Sequence, residues 1–127
     1  LTQLLLRLMK KSNSGSIINI GSVSGILSEP GTIAYGSSKA ALMFSSKLMA
    51  NEFSKYKIRV NSIAPNITNT EMSEEMDIKS SNDLIERSFL KRKCTVKEIS
   101  DLVLFLSSSQ SSYINGQIFR IDGGMSG

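Results

Sequence analysis

The sequence predicts an α/β fold in which an open parallel sheet of three strands is flanked by helices. Three observations predict it. Apolar runs of strand length, at 17–20, 58–63 and 117–122, alternate with stretches of helical composition or period. Strands joined through helices have room for the crossover that parallel pairing needs, whereas no tight hairpin turn joins any two of the runs. A chain of 127 residues, 40% hydrophobic and 20% charged, has the composition of one ordinary globular domain with a modest core.

The elements follow in order. Leu1, Leu4, Leu5 and Leu8 have the i, i+3, i+4, i+7 spacing of an amphipathic helix. A turn-rich break at 12–15 leads to Ile17, Ile18 and Ile20, read as a strand buried on both faces and ended by Gly21-Ser22. Residues 24–32, with Gly25, Pro30 and Gly31, read as a loop. A long helix is predicted over 33–53, which is rich in Ala, Leu, Met and Lys. The strand at 58–63 is closed by Ala64-Pro65, and 66–90 reads as irregular and polar with short helices. Thr95-Val96-Lys97-Glu98 is a capping box, in which the Thr hydroxyl and the Glu carboxylate each satisfy an orphan backbone N–H. Ile99, Leu102, Val103 and Leu106 then mark one apolar helix face. The last strand runs into Gly123-Gly124. Three strands make a thin sheet whose edges call for neighbours, and the chain opens at Leu1 inside a helical pattern, so a further N-terminal part is expected upstream.

Composition excludes several classes. The net charge of +4 is modest, and the one basic run, Lys91-Arg92-Lys93, has no aromatic platform beside it, so no nucleic-acid partner is expected. No apolar run approaches the roughly 20 residues of a membrane helix, and no membrane partner is expected. Cys94 is the single cysteine and cannot close an internal disulfide, which suits a reducing, cytoplasmic setting; with no base or second thiol in its pattern it reads as a bystander. The absence of histidine excludes a Ser-His-Asp triad and the usual zinc sites, and no metal is expected.

Tyr35 and Lys39 stand four apart on the predicted helix, about one turn, so both side chains share a face. An ammonium beside a phenol favours the phenolate, which suits proton exchange with a carbonyl oxygen or an alcohol. Ser22 ends a strand, where ligands bind in open α/β sheets, and its hydroxyl can hold the same oxygen. The spacing alone arises by chance in roughly 4% of such chains, so its weight comes from its neighbours.

Those neighbours form an ordered set: Ile17-Ile18-Asn19-Ile20-Gly21-Ser22, Tyr35-Gly36-Ser37-Ser38-Lys39, Arg59-Val60-Asn61-Ser62-Ile63-Ala64-Pro65, Tyr113-Ile114-Asn115-Gly116-Gln117 and Asp122-Gly123-Gly124. Across nearly the whole chain the set resembles the short-chain dehydrogenase/reductase family, most closely its 3-oxoacyl-(acyl-carrier-protein) reductase type. The resemblance implies the C-terminal half of one Rossmann-like, doubly wound domain over 1–127, with a substrate lid at 66–90. It implies an NAD(P)-dependent oxidoreductase that interconverts a carbonyl and a secondary alcohol, with NADP ahead of NAD. The substrate would be a small molecule or an acyl chain on its carrier protein, as in fatty acid synthesis.

The same resemblance assigns roles. Tyr35 would be the general acid/base, Lys39 would steady it and hold the nicotinamide ribose, and Ser22 would orient the substrate carbonyl. Pro65, Asn66, the Thr68 backbone and the Thr70 side chain match positions around the nicotinamide ring. Met72 and Met76 would either line an apolar substrate or pack the lid down. The helices at 1–9 and 40–49 match subunit contacts, so a homodimer or homotetramer is implied. The sequence also departs from the family. Asn66 stands where Gly is usual, with a left-handed backbone expected to survive there, and Lys91 and Cys94 stand where Gly is frequent. No Gly-rich phosphate loop is present in these residues, so the chain alone is expected to be inactive. The alternative reading is an inactive fragment or degenerate homologue that acts only through oligomer contacts. The epimerase/dehydratase branch shares Tyr-x-x-x-Lys but does not suit the compact ending at Asp122-Gly123-Gly124.

Overall fold

The computed structural model describes residues 2–12, 14–74 and 78–125, with Met72 described for its backbone only. The elements are α1 (Thr2–Ser12), β1 (Gly15–Ile20), a 3-10 turn (Val23–Gly25), α2 (Ile33–Phe53), β2 (Ile58–Pro65), α3 (Glu71–Glu74), α4 (Ile78–Glu86), α5 (Val96–Ser107) and β3 (Ile118–Ile121). The three strands form one parallel sheet in the order β1-β2-β3, so the predicted fold class is the one observed. In register, Ile17 lies opposite Val60 and Ile20 opposite Ile63, while Pro65 lies opposite Ile121.

Alternation along the strands sends Ile17, Asn19, Ile58, Val60 and Ser62 to one face and Ser16, Arg59, Asn61 and Ile63 to the other. On the first face Ala50, Ile58 and Val60 form a buried cluster with Leu6 and Met9 of α1 and Met49 and Phe53 of α2. On the second, Leu106 of α5 is fully buried and its carbonyl accepts from Ser16 Oγ (2.9 Å) and Arg59 Nη2 (2.9 Å).

The leucine stripe of α1 turns outward: Leu4 is 79% and Leu8 64% exposed, and Leu6 and Met9, also a helical pair, face the sheet instead. Leu1 and Met76 lie outside the described residues, as does the Met72 side chain. One expectation, that β1 is buried on both faces, is corrected: it is partly exposed throughout, with Ile20 43% exposed. The reason is position. β2 is central and carries Ile58, Val60, Ile63 and Ala64 at near-zero exposure, whereas the outer edge of β1 pairs with no strand among the described residues.

Polar side chains do much of the joining. Asn61, fully buried in β2, donates to Ile114 O (3.0 Å) and accepts from Gln117 N (3.0 Å). Asn115 accepts from Val60 N (2.8 Å) and donates to Ala50 O (3.1 Å), tying the last turn of α2 to β2 through the loop that precedes β3. Between sheet and helix, Ser46 Oγ accepts from Asn19 Nδ2 and Ser62 Oγ and donates to Leu42 O, each at 2.8 Å. Replacing Asn61 by Ala removes the partner of the Gln117 N–H, while Ile114 O keeps its bond from Arg59 Nη1 (3.4 Å). The expected loss is about 1–3 kcal/mol, the cost of one unpaired group, read as a lowered urea midpoint of the intact protein.

The capping box forms as predicted, with Glu98 N donating to Thr95 Oγ1 (3.2 Å) and Thr95 N to Glu98 Oε2 (2.8 Å). Arg92 adds a two-pronged pair to the same carboxylate, at 2.9 and 2.6 Å. These bonds, Arg92 first and then the Thr95 N–H and hydroxyl, hold the Glu98 carboxyl well below the usual carboxylate range. A carboxylate lowered in the folded state stabilises above its unfolded pKa, about 4.3, and that contribution fades as pH falls through the folded value. The stability difference between the intact protein and its Glu98→Gln variant should therefore be larger at pH 7 than at pH 3. Equal urea-midpoint differences at the two pH values would contradict this assignment.

Candidate active site

The C-terminal ends of β1 and β2 meet the first turns of α2, and the residues singled out from sequence collect there. β1 stops at Gly21, whose N–H donates to Ile63 O (2.7 Å). A Cβ on Gly21 would lie 2.6 Å from Met43 Sδ and 3.2 Å from Ile63 O, so only glycine lets the strand end pass this close to α2. Ser22 follows, buried in extended conformation, and caps the 3-10 turn by accepting from Ser24 N (3.2 Å).

That turn lies directly on α2. A Cβ on Gly36 would sit 2.6 Å from Ser24 O, and one on Gly25 would sit 2.7 Å from Ala40 N and 2.9 Å from Lys39 C. The two glycines thus set the distance between the Ser22 turn and the helix turn that carries Tyr35 and Lys39. Tyr35 is 47% exposed. Lys39 Nζ lies 5.7 Å from the centre of the Tyr35 ring and donates to Ile20 O (3.0 Å), two residues before Ser22. The one-turn spacing does place both side chains on one face.

The β2–α3 loop lies at the same edge. Pro65 ends β2, and Asn66 N donates to Ile121 O (3.0 Å). Asn66 does not take the left-handed backbone expected of it; among the described non-glycine residues that conformation falls to Lys57 (φ 56°) and Lys91 (φ 50°). Lys91 is one of the two further positions, with Cys94, where the sequence departs from a frequent glycine. The Asn66 side chain instead turns to α4, with Nδ2 3.5 Å from Leu84 O, and its Oδ1 is buried without a partner among the described residues.

Thr68 pairs with Cys94 in a parallel bridge made by Cys94 N to Ile67 O and Asn69 N to Cys94 O, both 2.9 Å. Such a bridge uses the neighbours' groups and directs the N–H and C=O of Thr68 to the opposite edge. Thr70 is exposed, its hydroxyl 3.5 Å from Thr68 O. Burial first, then the Glu98 carboxylate, push the Cys94 thiol up, away from the reactive thiolate.

Cavities open at both ends of the sheet. The smaller, about 90 Å³, lies between Asn66, Ile67, Cys94 and Gly123. The larger, about 670 Å³, opens at the opposite end of the sheet, beside Gly15, Ser16, Arg59 and Ser108. Neither cavity is lined by Ser22, Tyr35 or Lys39. Arg59 is occupied by the carbonyls of Leu106, Ser108 and Ile114, whereas the titratable pair and the glycine-set turn lie at the C-terminal edge, where open parallel sheets bind ligands.

Sequence reasoning missed the Ser46 hydroxyl cluster and the Arg87–Glu29 ion pair (3.2 Å) that joins the end of α4 to the loop after Ser22. The first had a signal in the stripe Gly36, Met43, Ser46, Ala50, the buried positions of α2. The second spans 58 residues and has no local signature.

Comparison with known proteins bears on this arrangement. The model of the family described as enoyl-(acyl carrier protein) reductase matches residues 1–126. The 3-oxoacyl-[acyl-carrier-protein] reductase FabG of Thermotoga maritima is 39% identical over 124 residues, 98% of this chain and 50% of that protein. Among solved structures, a gluconate 5-dehydrogenase from Burkholderia cenocepacia in complex with NADP and tartrate superposes with a TM-score of 0.91 at 33% identity, over 97% of this chain and 49% of that one. A 3-oxoacyl-[acyl-carrier protein] reductase with bound NAD from Brucella melitensis gives 0.88 at 28%, over 98% and 45%. The chain spans about half the length of the curated relatives it matches. The descriptions differ in substrate and agree in naming a reductase or dehydrogenase, and the family match and the superpositions each take in nearly the whole chain: the chain belongs to the short-chain dehydrogenase/reductase family.

Proposed function

We propose that this chain carries the proton-transfer and substrate side of an NAD(P)-dependent oxidoreductase that interconverts a carbonyl and a secondary alcohol, of the 3-oxoacyl-(acyl-carrier-protein) reductase kind. The observation that carries the reading is Lys39: its ammonium lies 5.7 Å from the Tyr35 ring and 3.0 Å from Ile20 O, just ahead of Ser22. In reduction Tyr35 gives its phenolic proton to the carbonyl oxygen, and in oxidation it takes one from the alcohol. The positive charge of Lys39 steadies the phenolate left behind. The Ser22 hydroxyl donates to the same oxygen and orients it.

The nicotinamide cofactor supplies or takes up the hydride when bound. Lys39 and Tyr35 would meet its ribose, Pro65 would wall the ring, and Asn66, the Thr68 backbone and Thr70 would meet its amide end. The outward N–H and C=O of Thr68 match an amide in both donor and acceptor, and the buried unpaired Oδ1 of Asn66 has acceptor capacity in the same loop. NADP is proposed ahead of NAD. The span 66–90, which holds α3 and α4, would be the substrate lid.

The test uses the intact protein with NADPH or NADH and an acetoacetyl thioester, following loss of the reduced-nicotinamide absorbance. The reading expects oxidation, faster with NADPH. Failure to oxidise either nucleotide with thioester and small ketone substrates alike would sink it.

The outward apolar side chains Leu4 and Leu8 of α1, with Phe44 and Leu48 of α2, favour self-association and support a homodimer or homotetramer. They also sustain the second reading, a chain that acts by contacts alone. Solution mass together with nucleotide binding separates the two: an oligomer that binds neither nucleotide supports contacts alone.

A further inference from the structure

A chain of polar contacts runs from the proposed lid to the proposed catalytic serine. Arg87, just past α4, places Nη1 3.2 Å from Glu29 Oε1. The other Glu29 oxygen accepts from the Ser24 hydroxyl at 2.7 Å. The Ser24 backbone N–H in turn donates to Ser22 Oγ at 3.2 Å. The Glu29 side chain is 9% exposed and that of Arg87 38%. A carboxylate taken this far from water is costly unless paired and hydrogen-bonded, and Glu29 meets both needs at once, with a cation from one side and a hydroxyl from the other. Its two oxygens are shared between two separate parts of the site.

The contacts at Ser22 bear on chemistry. Its oxygen accepts the Ser24 N–H, which fixes one direction of the hydroxyl group and leaves the O–H proton to point elsewhere. Anything that holds Ser24 in place therefore holds the direction in which Ser22 donates. Glu29 holds Ser24 by its hydroxyl, and Arg87 holds Glu29 by its charge.

We propose that Glu29 is a positioning residue that couples the seating of α4 to the orientation of the Ser22 hydroxyl, with Arg87 as its partner on the lid side. The proposal rests on the reading of Ser22 as the group that orients the substrate oxygen. When α4 is seated, Arg87 neutralises Glu29 and the Ser24 turn is firm. When α4 lifts, Glu29 loses its cation, draws in water and releases Ser24. Substrate closed beneath the lid thus meets an aligned Ser22, and an open lid leaves the serine loose.

Hydrogen exchange on the intact protein tests the coupling without reliance on activity. Arg87→Gln is expected to speed exchange of the amides of α4 and, together with them, those of Ser24 to Leu27. Glu29→Ala is expected to do the same, and the double variant to add nothing to either single one. Ser24→Ala should loosen the Ser24 turn and leave α4 seated, because it removes only the hydroxyl that donates to Glu29 and keeps the Arg87–Glu29 pair. Unchanged exchange at Ser24 to Leu27 in Arg87→Gln, with α4 loosened, overturns the coupling. Steady-state kinetics give a second measure: Glu29→Ala should lower kcat by about tenfold, more than it raises KM, as expected when a group acting at the transition state loses its alignment. A change in KM alone overturns the positioning role. A wild-type protein without oxidoreductase activity defeats the functional reading, while the exchange data still decide the coupling.

Discussion

Replacing Tyr35 by Phe should lower turnover of the intact protein by about 10²–10⁴-fold, the usual contribution of a positioned general acid or base. The substitution keeps the ring and removes only the phenolic oxygen. Because Tyr35 is 47% exposed, no buried group is stranded, and thermal stability should stay within about 0.5 kcal/mol of the parent. Nucleotide affinity should fall by no more than the one ribose contact of the phenol, since the Lys39 ammonium, held by Ile20 O, keeps its own. The diagnostic result is the combination of lost turnover, retained melting temperature and retained nucleotide binding. Turnover within tenfold of the parent would remove Tyr35 from the reaction and, with it, the proton-transfer scheme.

The second large effect concerns residues that touch no substrate. Gly36→Ala introduces a Cβ 2.6 Å from Ser24 O, and Gly25→Ala introduces one 2.7 Å from Ala40 N. Both obstacles are backbone, so the Ser22 turn and α2 must separate. In Gly36→Ala the helix gains about 1 kcal/mol of propensity, which offsets part of an overpacking loss of about 1–3 kcal/mol. Stability therefore changes modestly, while the distance between Ser22 and Tyr35 changes directly. A shift on the order of 1 Å at a reacting centre costs about 10²-fold in rate, so kcat should fall far more than the melting temperature suggests. Glu52→Gln, at an exposed position near the far end of the same helix, should leave both unchanged. Full activity in Gly36→Ala would mean that the turn does not need its close seat on the helix.

What was legible in the sequence was what short-range chemistry controls. The capping box at Thr95 and Glu98 starts α5, and Ile99, Leu102, Val103 and Leu106 turn to the sheet as their spacing requires. Tyr35 and Lys39 share a face because one helical turn separates them. By the same kind of argument the leucines of α1 marked a helix, but their spacing did not say which side of it faces the sheet. Two apolar stripes were available, and Leu6 and Met9 face the sheet because the cluster of Ala50, Ile58 and Val60 lies opposite them. Asn66 shows a similar limit: a residue tolerant of left-handed backbone does not adopt it here, and Lys91 does.

The sequence by itself determined the order of strands and helices, the α5 cap, the Tyr35–Lys39 pair and the family signature. Each rests on contacts within about one helical turn or on the fixed order of short motifs. Only the tertiary structure decided that β2 is the buried strand and β1 an edge, that Gly25 and Gly36 set the seat of Ser22, and that Glu29 meets Arg87 across 58 residues. Those outcomes depend on which surfaces long-range packing brings face to face, and neither helical period nor local propensity encodes that choice.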